Sequence, residues 1–480
     1  MRQEMKSKSV AGFLGFVVAG GLSVAIASQS GEESHPFSFS AELEAFNKFG
    51  FYNVVSPTDS YGYILGTLSG IYAHKFANDS TLKVELGAAG AGLAYDSTHR
   101  RVFESAGLGY NYVGYYAGYR GDKAASATNT HNYYIHNAHI AYDSERISLK
   151  VGRFANDDDN YVVGLMEGAD IKATLATFDK GSIYGRLEGI SAFALLGDGF
   201  FWDFTQAYAP DGLLGAQFGG DVALGEKGKF DINAFYYYGI SEYSAPGLDM
   251  KLDFERLSEG DSSQKKGFSS HTRLNAIFPY YNSLQMRVAP LLGSFLLNPN
   301  VVAKDNFTSS ILARQDFRFY AGNKGEYLLG VAAYKNIGLS HARVGLYGSP
   351  LGVNIWDNSV YGAGPSLNGI VYKDALSAFV FTKASYENLA RFLQVFEAGL
   401  DFRYTTNTGS TKALEEYSLK LSLDFTLTKN IAFGVIGNYY TSVVFDNNAL
   451  NTDSSVGGGE VPRGKAIDRS YVMTRISLKL

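Results

Sequence analysis

The sequence predicts an all-β fold: a transmembrane antiparallel β-barrel of about 18 strands with short periplasmic turns and long external loops. Three observations favour it. Apolar and polar residues alternate with a period of two along most of the chain, which is the strand period. Short polar turns and long loops follow each other between these segments, as in membrane barrels. The chain also begins with a stretch that has the order of a secretory signal.

The first 27 residues have the charge and hydropathy order of a signal peptide. Arg2, Lys6 and Lys8 precede an apolar, glycine-rich stretch over 10–26, and the small residues near its end place cleavage after Ala27. No later apolar run reaches the roughly 20 residues that a spanning helix needs. The predicted domains are therefore the signal peptide, 1–27, and the barrel, 28–480.

Composition excludes several classes of protein. Cysteine is absent, which excludes disulfides and the lipidated cysteine of a bacterial lipoprotein. The net charge of -5 argues against a nucleic-acid partner. The 34 Tyr and 33 Phe, against 2 Trp, suit the aromatic girdles of a membrane barrel. No cofactor is expected.

The first and last strands show the alternation clearly. Phe37, Phe39 and Ala41 alternate with serines and a glutamate at the start. The final segment, 471–480, places Val472, Thr474, Ile476, Leu478 and Leu480 on one face. That segment resembles the terminal strand by which the outer-membrane assembly machinery recognises its clients, except that Leu480 stands where Phe or Trp is usual. The sequence therefore predicts a bacterial outer-membrane location, with membrane lipid and lipopolysaccharide as partners, and pairing between the first and last strands.

The connections between segments set the expected strand count. Tight turns are predicted at 143–145, 225–228, 281–283 and 428–430, and long loops at about 193–214, 240–269, 348–372 and 443–469. Treating 326–347 as one bent strand gives 18 strands, whereas a further strand near 354–361 gives 20. Eighteen is the count we expect, and a barrel of that size encloses an aqueous lumen.

One region carries a family resemblance. Leu149–Arg153, the run Asn156–Asn160 and Glu167–Ile171 resemble the matching region of OprD-type substrate-specific porins and of the Hof-type outer-membrane proteins of Helicobacter and its relatives. The resemblance implies passive diffusion of small hydrophilic solutes, including carboxylate-bearing nutrients or peptides. It also implies a constriction loop that folds into the lumen, at about 154–166 here. Its dense oxygen cluster consists of Asp157, Asp158 and Asp159.

Charged residues within the strands are expected to line the pore. Seven arginines alternate against apolar neighbours, and each would cost about 2–4 kcal/mol if it faced lipid near the bilayer midplane. The predicted pore-lining arginines are Arg186, Arg273, Arg287, Arg318, Arg343, Arg403 and Arg475. The predicted pore-lining acids are Glu188, Asp316, Asp401 and Asp424. These charges either only hydrate the lumen or form a basic ladder that guides carboxylates, as the resemblance implies.

The histidines and the known catalytic motifs give little support for a metal site or an active site. His136 and His139 are three apart, so on a regular strand they point to opposite faces and cannot share a metal ion. The remaining histidines stand beside no serine or carboxylate motif, and no hydrolase or nucleotide-binding motif occurs. Arg153 is an even number of positions from its outward-facing neighbours on the strand, which assigns it to the outer rim.

A channel is favoured over a surface adhesin that displays loops 240–269 and 443–469. The sequence is compatible with both a monomer and a homotrimer.

Overall fold

The alternating segments form β-strands in a computed structural model. In each, side chains of successive residues point to opposite sides of a sheet, so one face is apolar and the other polar. The structure describes the following residues: 36–51, 60–96, 132–156, 161–162, 164–197, 199–205, 209, 211–257, 266–282, 308–322, 325–338, 340–341, 344, 370, 373–408, 414–445, 464–468 and 470–480. Residues 1–27, Arg287, Arg343 and the three aspartates 157–159 lie outside this set, as do most of the predicted loops 348–372 and 443–469.

The described residues form 21 strand segments. Their bounds are β1 Phe37–Gly50, β2 Tyr61–Lys75, β3 Thr81–Asp96, β4 Tyr133–Asp143, β5 Ile147–Asn156, β6 Gly164–Phe178, β7 Gly181–Gly197, β8 Phe200–Thr205, β9 Leu213–Leu224, β10 Gly228–Gly239, β11 Tyr243–Leu257, β12 Lys266–Ile277, β13 Tyr280–Tyr281, β14 Ser309–Ala321, β15 Glu326–Ile337, β16 Ala375–Ala390, β17 Leu393–Asn407, β18 Leu414–Thr428, β19 Ile431–Val444, β20 Ala466–Asp468 and β21 Tyr471–Lys479.

These segments make one closed antiparallel barrel of 18 strands within the unit Pro36–Lys479. Three short segments are not separate wall strands. β8 pairs with the end of β7. β13 continues the line of β12 and pairs with β11. β20 precedes β21 in the same line and pairs with β19. Closure comes from β1 and β21, which run in register from Glu42 opposite Lys479 to Gly50 opposite Tyr471. The predicted fold class and the pairing of the first and last strands are thus confirmed.

Several predicted boundaries are wrong. The expected long loop 240–269 is mostly strand, because Tyr243–Leu257 forms β11 and the segment from Lys266 onward forms β12. The tight turn expected at 281–283 is wrong too. Tyr281 pairs with Tyr243 at the start of β11, and the neighbouring wall strands β12 and β14 end and begin at Ile277 and Ser309. The bent strand expected over 326–347 ends at Ile337. The other three tight turns lie where they were expected, between β4 and β5, β9 and β10, and β18 and β19.

The two faces of the wall differ sharply in exposure. Leu187 of β7 is 61% exposed, while its neighbours Arg186 and Glu188 are 6% and 7% exposed. Around the barrel, apolar side chains are exposed on the outer face, while the charged side chains of the inner face range from buried, as at Arg403, to partly exposed, as at Arg475. Hydrocarbon requires an apolar outside and a fully paired backbone, which closure supplies.

Candidate functional site

The inner wall concentrates ionic side chains on β6 and β7. The guanidinium of Arg186 reaches Asp170 at 2.6 Å through Nε and Glu188 at 3.2 Å through Nη2. Nη2 also donates to the Asn156 side-chain oxygen at 3.2 Å. Arg186 and Glu188 share the inner face because they are two residues apart on one strand, and Asp170 faces them from β6. One cation therefore holds two carboxylates together.

A second centre joins β11 and β12. Arg273 donates from Nε and Nη2 to the two carboxylate oxygens of Asp249, both at 2.9 Å, and Lys251 lies 3.7 Å from the same carboxylate. This bidentate geometry is the strong form of an arginine–carboxylate pair. Sequence reasoning missed Asp249, since its strand was read as a loop.

The other predicted wall residues also occur as pairs. Most of the contacts below join inner-face side chains of one strand or of neighbouring strands, and the last joins β18 to β21 across β19. They are Arg318 with Glu326 at 3.1 Å, Asp316 with Arg314 at 2.8 Å, Arg403 with Glu416 at 3.5 Å, Asp401 with Lys420 at 3.2 Å, and Asp424 with Arg475 at 3.8 Å. Glu416, Arg314 and Glu326 were not predicted, although the same period-two rule places them on this face.

A residue of the predicted constriction loop lies deep inside the barrel. Tyr161, between β5 and β6, is fully buried and donates a 2.8 Å hydrogen bond to Oδ1 of Asn275 on β12. Its ring packs near Phe235 of β10 and near His341, which follows β15. These partners lie on β10 and β12 and just after β15, well around the barrel from β5 and β6, so this part of the loop extends across the lumen. Burial raises the pKa of the Tyr161 phenol well above its usual range, and the hydroxyl remains a donor.

Tyr161 meets a buried polar cluster near the end of β15. The Tyr334 hydroxyl lies 2.8 Å from Nε2 of His341, and the Ser310 hydroxyl lies 3.3 Å from the same nitrogen. Ser310 also donates to Oδ1 of Asn336 at 2.9 Å. Such a network of satisfied polar groups holds the segment after β15 against the wall.

A second inward element comes from the predicted loop 193–214. Here the chain turns back so that β8 pairs with the end of β7, and Gly199 lies between them. The Gly199 carbonyl accepts from the Tyr61 hydroxyl at 3.0 Å, and its N–H donates to the Tyr63 hydroxyl at 3.1 Å. Tyr61 and Tyr63 lie on the inner face of β2. The β7–β8 hairpin therefore reaches across the interior to the β1–β2 wall.

The expectation that His136 and His139 face opposite ways is wrong. A register shift at Gly87–Ala88 of β3 leaves His136 as an extra residue in β4, so both imidazoles are buried on the same side of the sheet. In the part of the chain that the structure describes, no group of three or more histidine, cysteine or acidic side chains could hold a metal ion.

One histidine does have a serine and a carboxylate beside it, which the sequence did not indicate. His271 lies 2.8 Å from Asp253 through Nδ1 and 3.0 Å from the Ser269 hydroxyl through Nε2. These contacts have the connectivity of a hydrolase triad. Ser269 is completely buried, however, so an acyl substrate does not reach its hydroxyl. The set fixes the orientation of the imidazole.

Arg153, assigned to the outer rim, bridges three neighbours. Its Nε lies 2.8 Å from Glu167, its Nη1 donates to the Ile135 carbonyl at 2.8 Å, and its guanidinium lies 4.3 Å from the Phe204 ring centroid. The ladder between β4 and β5 ends at Ala138 opposite Arg153, so this side chain lies where the two strands separate.

Among the described residues, no helix is long and apolar enough to cross a membrane.

Comparison with known proteins identifies relatives of this architecture. A family model described as "Putative outer membrane protein" matches residues 22–480. Among solved structures, the chain is similar to Acinetobacter baumannii OccAB1, with a TM-score of 0.57 at 9% identity over 95% of this chain and 100% of that one. It is similar to OccAB2 of the same organism, with a TM-score of 0.55 at 12% identity over 92% and 98%. A comparison with curated proteins finds no match.

A third similar structure was solved with a small molecule. It is Pseudomonas aeruginosa OpdK with vanillate, with a TM-score of 0.53 at 10% identity over 92% of this chain and 98% of that one. At sequence identities this low, the similarity establishes a shared fold and nothing further. The sequence-based expectation of an OprD-like barrel agrees with all three structures.

Proposed function

This chain belongs to the family of Hof-type outer-membrane proteins of Helicobacter, and we propose that it forms a passive channel for small hydrophilic solutes. The observation that carries the proposal is a closed barrel of 18 strands whose inner face is charged. A barrel of this size is too wide for wall side chains alone to fill, so the interior is aqueous.

The predicted wall residues are proposed to line that water-filled passage. Arg186 and Glu188, Arg273, Arg318, and Arg403 represent four stretches of the wall, and each lies on the face opposite exposed apolar side chains. Asp316, Asp401, Asp424 and Arg475 follow the same alternation. An arginine on the lipid side would cost about 2–4 kcal/mol near the midplane and a carboxylate would also be unfavourable there, which supports an inner location.

Two inward elements are proposed to set the upper size of the solute. The Tyr161 segment meets β12 and the end of β15, while the β7–β8 hairpin meets β2 through Gly199. Both reduce the cross-section available inside the wall. The passage therefore suits small molecules rather than folded chains or long polymers.

The charge pattern supports weak ion selectivity. Each predicted arginine within the described residues has a carboxylate within 4.0 Å, so its field is largely cancelled at close range. A ladder of free arginines would instead favour anions strongly. We propose that uncharged and zwitterionic solutes and small carboxylates pass at comparable rates; the OpdK structure with vanillate is the reason to test a carboxylate.

A channel also agrees better with these observations than the alternatives. The adhesin interpretation rested partly on a long loop at 240–269, and most of that range is strand. The Ser269 triad is closed to substrate, so we propose no enzymatic activity. We further propose that outer-membrane lipid surrounds the wall and that the assembly machinery recognises β21. Native mass spectrometry of the extracted protein distinguishes a single barrel from a homotrimer.

Liposome swelling tests the proposal. Vesicles that contain the refolded protein should admit arabinose, glycine and a small carboxylate at similar rates and admit a tetrasaccharide much more slowly. Vesicles without protein provide the background. Swelling at the background rate for every solute, with folded barrels present, would exclude a diffusion channel.

A further inference from the structure

The outer face of the barrel has a concave apolar groove over β6, β7, β9 and β10. Its volume is about 510 Å³, and it is open to the surroundings along its length. The outward side chains that line it are Ala169, Ile171, Leu187, Leu214, Ala216, Tyr236 and Tyr238, with Gly189 among them.

Small residues on adjacent strands create the depression. Ala169, Gly189 and Ala216 form its floor, while Leu187 and Leu214 rise beside them. A Cβ added at Gly189 would meet only Leu214 Cδ2, at 3.7 Å, which is ordinary van der Waals contact. A side chain added at Gly189 would therefore begin without a clash and project into the groove.

The groove lies toward the loop ends of the strands. Leu214 is the second residue of β9, and Tyr238 is the last but one of β10, both next to connections on the loop side. Two residues beyond Ala169 toward that edge, the Glu167 carboxylate receives bonds from Arg153 and from the Ser191 hydroxyl. This polar set marks the upper limit of the apolar belt. The groove thus opens toward the outer leaflet.

We propose that this groove binds one acyl chain of lipopolysaccharide in the outer leaflet. A concavity in a lipid-facing wall is filled, because an empty one forfeits the dispersion contacts of its lining. An acyl chain is narrow and flexible enough to enter it. The Tyr236 hydroxyl donates a 3.1 Å hydrogen bond to the Ser244 hydroxyl on the same wall, so it keeps a partner when an apolar chain lies beside it.

The shape argues against a second copy of this chain as the occupant. A specific protein interface takes roughly 20–30 residues a side, far more than line this groove. The outer wall of another barrel is also too broad to enter a depression formed by three small residues. The proposal rests on membership of an outer-membrane protein family and is independent of channel activity.

Filling the groove tests the proposal. Gly189→Leu and Ala216→Leu would each place a branched side chain where the acyl chain lies. Gly437→Leu is the matched control, since Gly437 of β19 also faces outward and a Cβ there would meet no atom within 4 Å. Each protein is extracted from outer membranes, its folding is verified by heat-modifiable gel migration, and bound lipopolysaccharide is counted by native mass spectrometry.

The wild type and Gly437→Leu should retain one lipopolysaccharide molecule per chain, and both groove variants should lose most of it. Equal retention in all four folded proteins, or none in the wild type, would overturn the proposal. Loss of an oligomer in the groove variants with unchanged lipopolysaccharide would instead identify a second copy as the occupant. Retention of phospholipid in place of lipopolysaccharide would likewise overturn it.

Discussion

Tyr161 and Asn275 are 114 positions apart, yet the phenol donates a 2.8 Å hydrogen bond to the amide oxygen inside the barrel. This bond joins a loop between β5 and β6 to the inner face of β12. It fixes an obstruction within the lumen that no local pattern around either residue indicates.

Replacing Tyr161 by alanine should enlarge the passage. The change removes the ring that packs near Phe235 and His341 as well as the bond to Asn275, so single-channel conductance should rise. Tyr161→Phe keeps the ring and should have a smaller effect. Tyr439→Ala is the control because Tyr439 is exposed on the outer face. Unchanged conductance of correctly folded Tyr161→Ala would show that this residue does not narrow the conducting path.

Breaking the Arg273–Asp249 pair should shift the ion preference. Asp249→Asn removes the carboxylate that accepts both guanidinium bonds, so an uncompensated cation remains on the inner wall. The reversal potential in a salt gradient should then move toward anion selectivity. Arg318→Glu should move it toward cations, since it reverses the sign of one member of the Glu326 pair.

Asp179→Asn provides the control for these charge changes. Asp179 is exposed in the turn between β6 and β7, outside the wall. Its variant should keep the wild-type reversal potential. Identical reversal potentials for all of these proteins would mean that the paired charges do not face the conducting path.

Displacing the β7–β8 hairpin should also increase conductance. Gly199 has φ of +99°, and a Cβ there would lie 3.0 Å from Phe46 Cζ, so Gly199→Leu is strained and clashes with the β1–β2 wall. Gly225→Leu is the control, with φ of +70° and no atom within 4 Å of the added Cβ. Equal conductance of the two variants would argue that the hairpin does not obstruct the passage.

The N-terminal segment should be absent from the exported protein. Arg2, Lys6 and Lys8 before an apolar stretch, followed by Ala27, predict cleavage between residues 27 and 28. N-terminal sequencing of outer-membrane material should therefore begin at Ser28. A sequence that begins at Met1 would refute the prediction.

The barrel was predictable because each strand has one apolar, lipid-facing side and one polar side. Apolar and polar residues therefore alternate in the sequence wherever a strand is regular. The same rule correctly separates Arg186 from Leu187. It would also have identified β11, where Asp249 and Lys251 alternate with Leu248, Met250 and Leu252. Pro246 and Gly247 in that strand have the composition of a turn, and so the alternation was missed.

The rest depends on interactions that period and composition do not encode. His136 and His139 share a side because one extra residue in β4 opposes Gly87–Ala88, and a bulge leaves no periodic signal of its own. Tyr161 and Gly199 are placed by partners on distant strands. Which carboxylate neutralises which arginine follows from strand register, as with Arg273 and Asp249, and register requires the turn positions first.

Planar-bilayer recording tests the central claim most directly. The purified barrel, with folding verified by heat-modifiable migration, is inserted into a bilayer and its current is recorded over a range of KCl concentrations. A passive aqueous channel with paired wall charges should give discrete steps whose conductance rises in proportion to salt, with a reversal potential near zero in a KCl gradient. Folded protein that inserts and produces no steps would contradict the account.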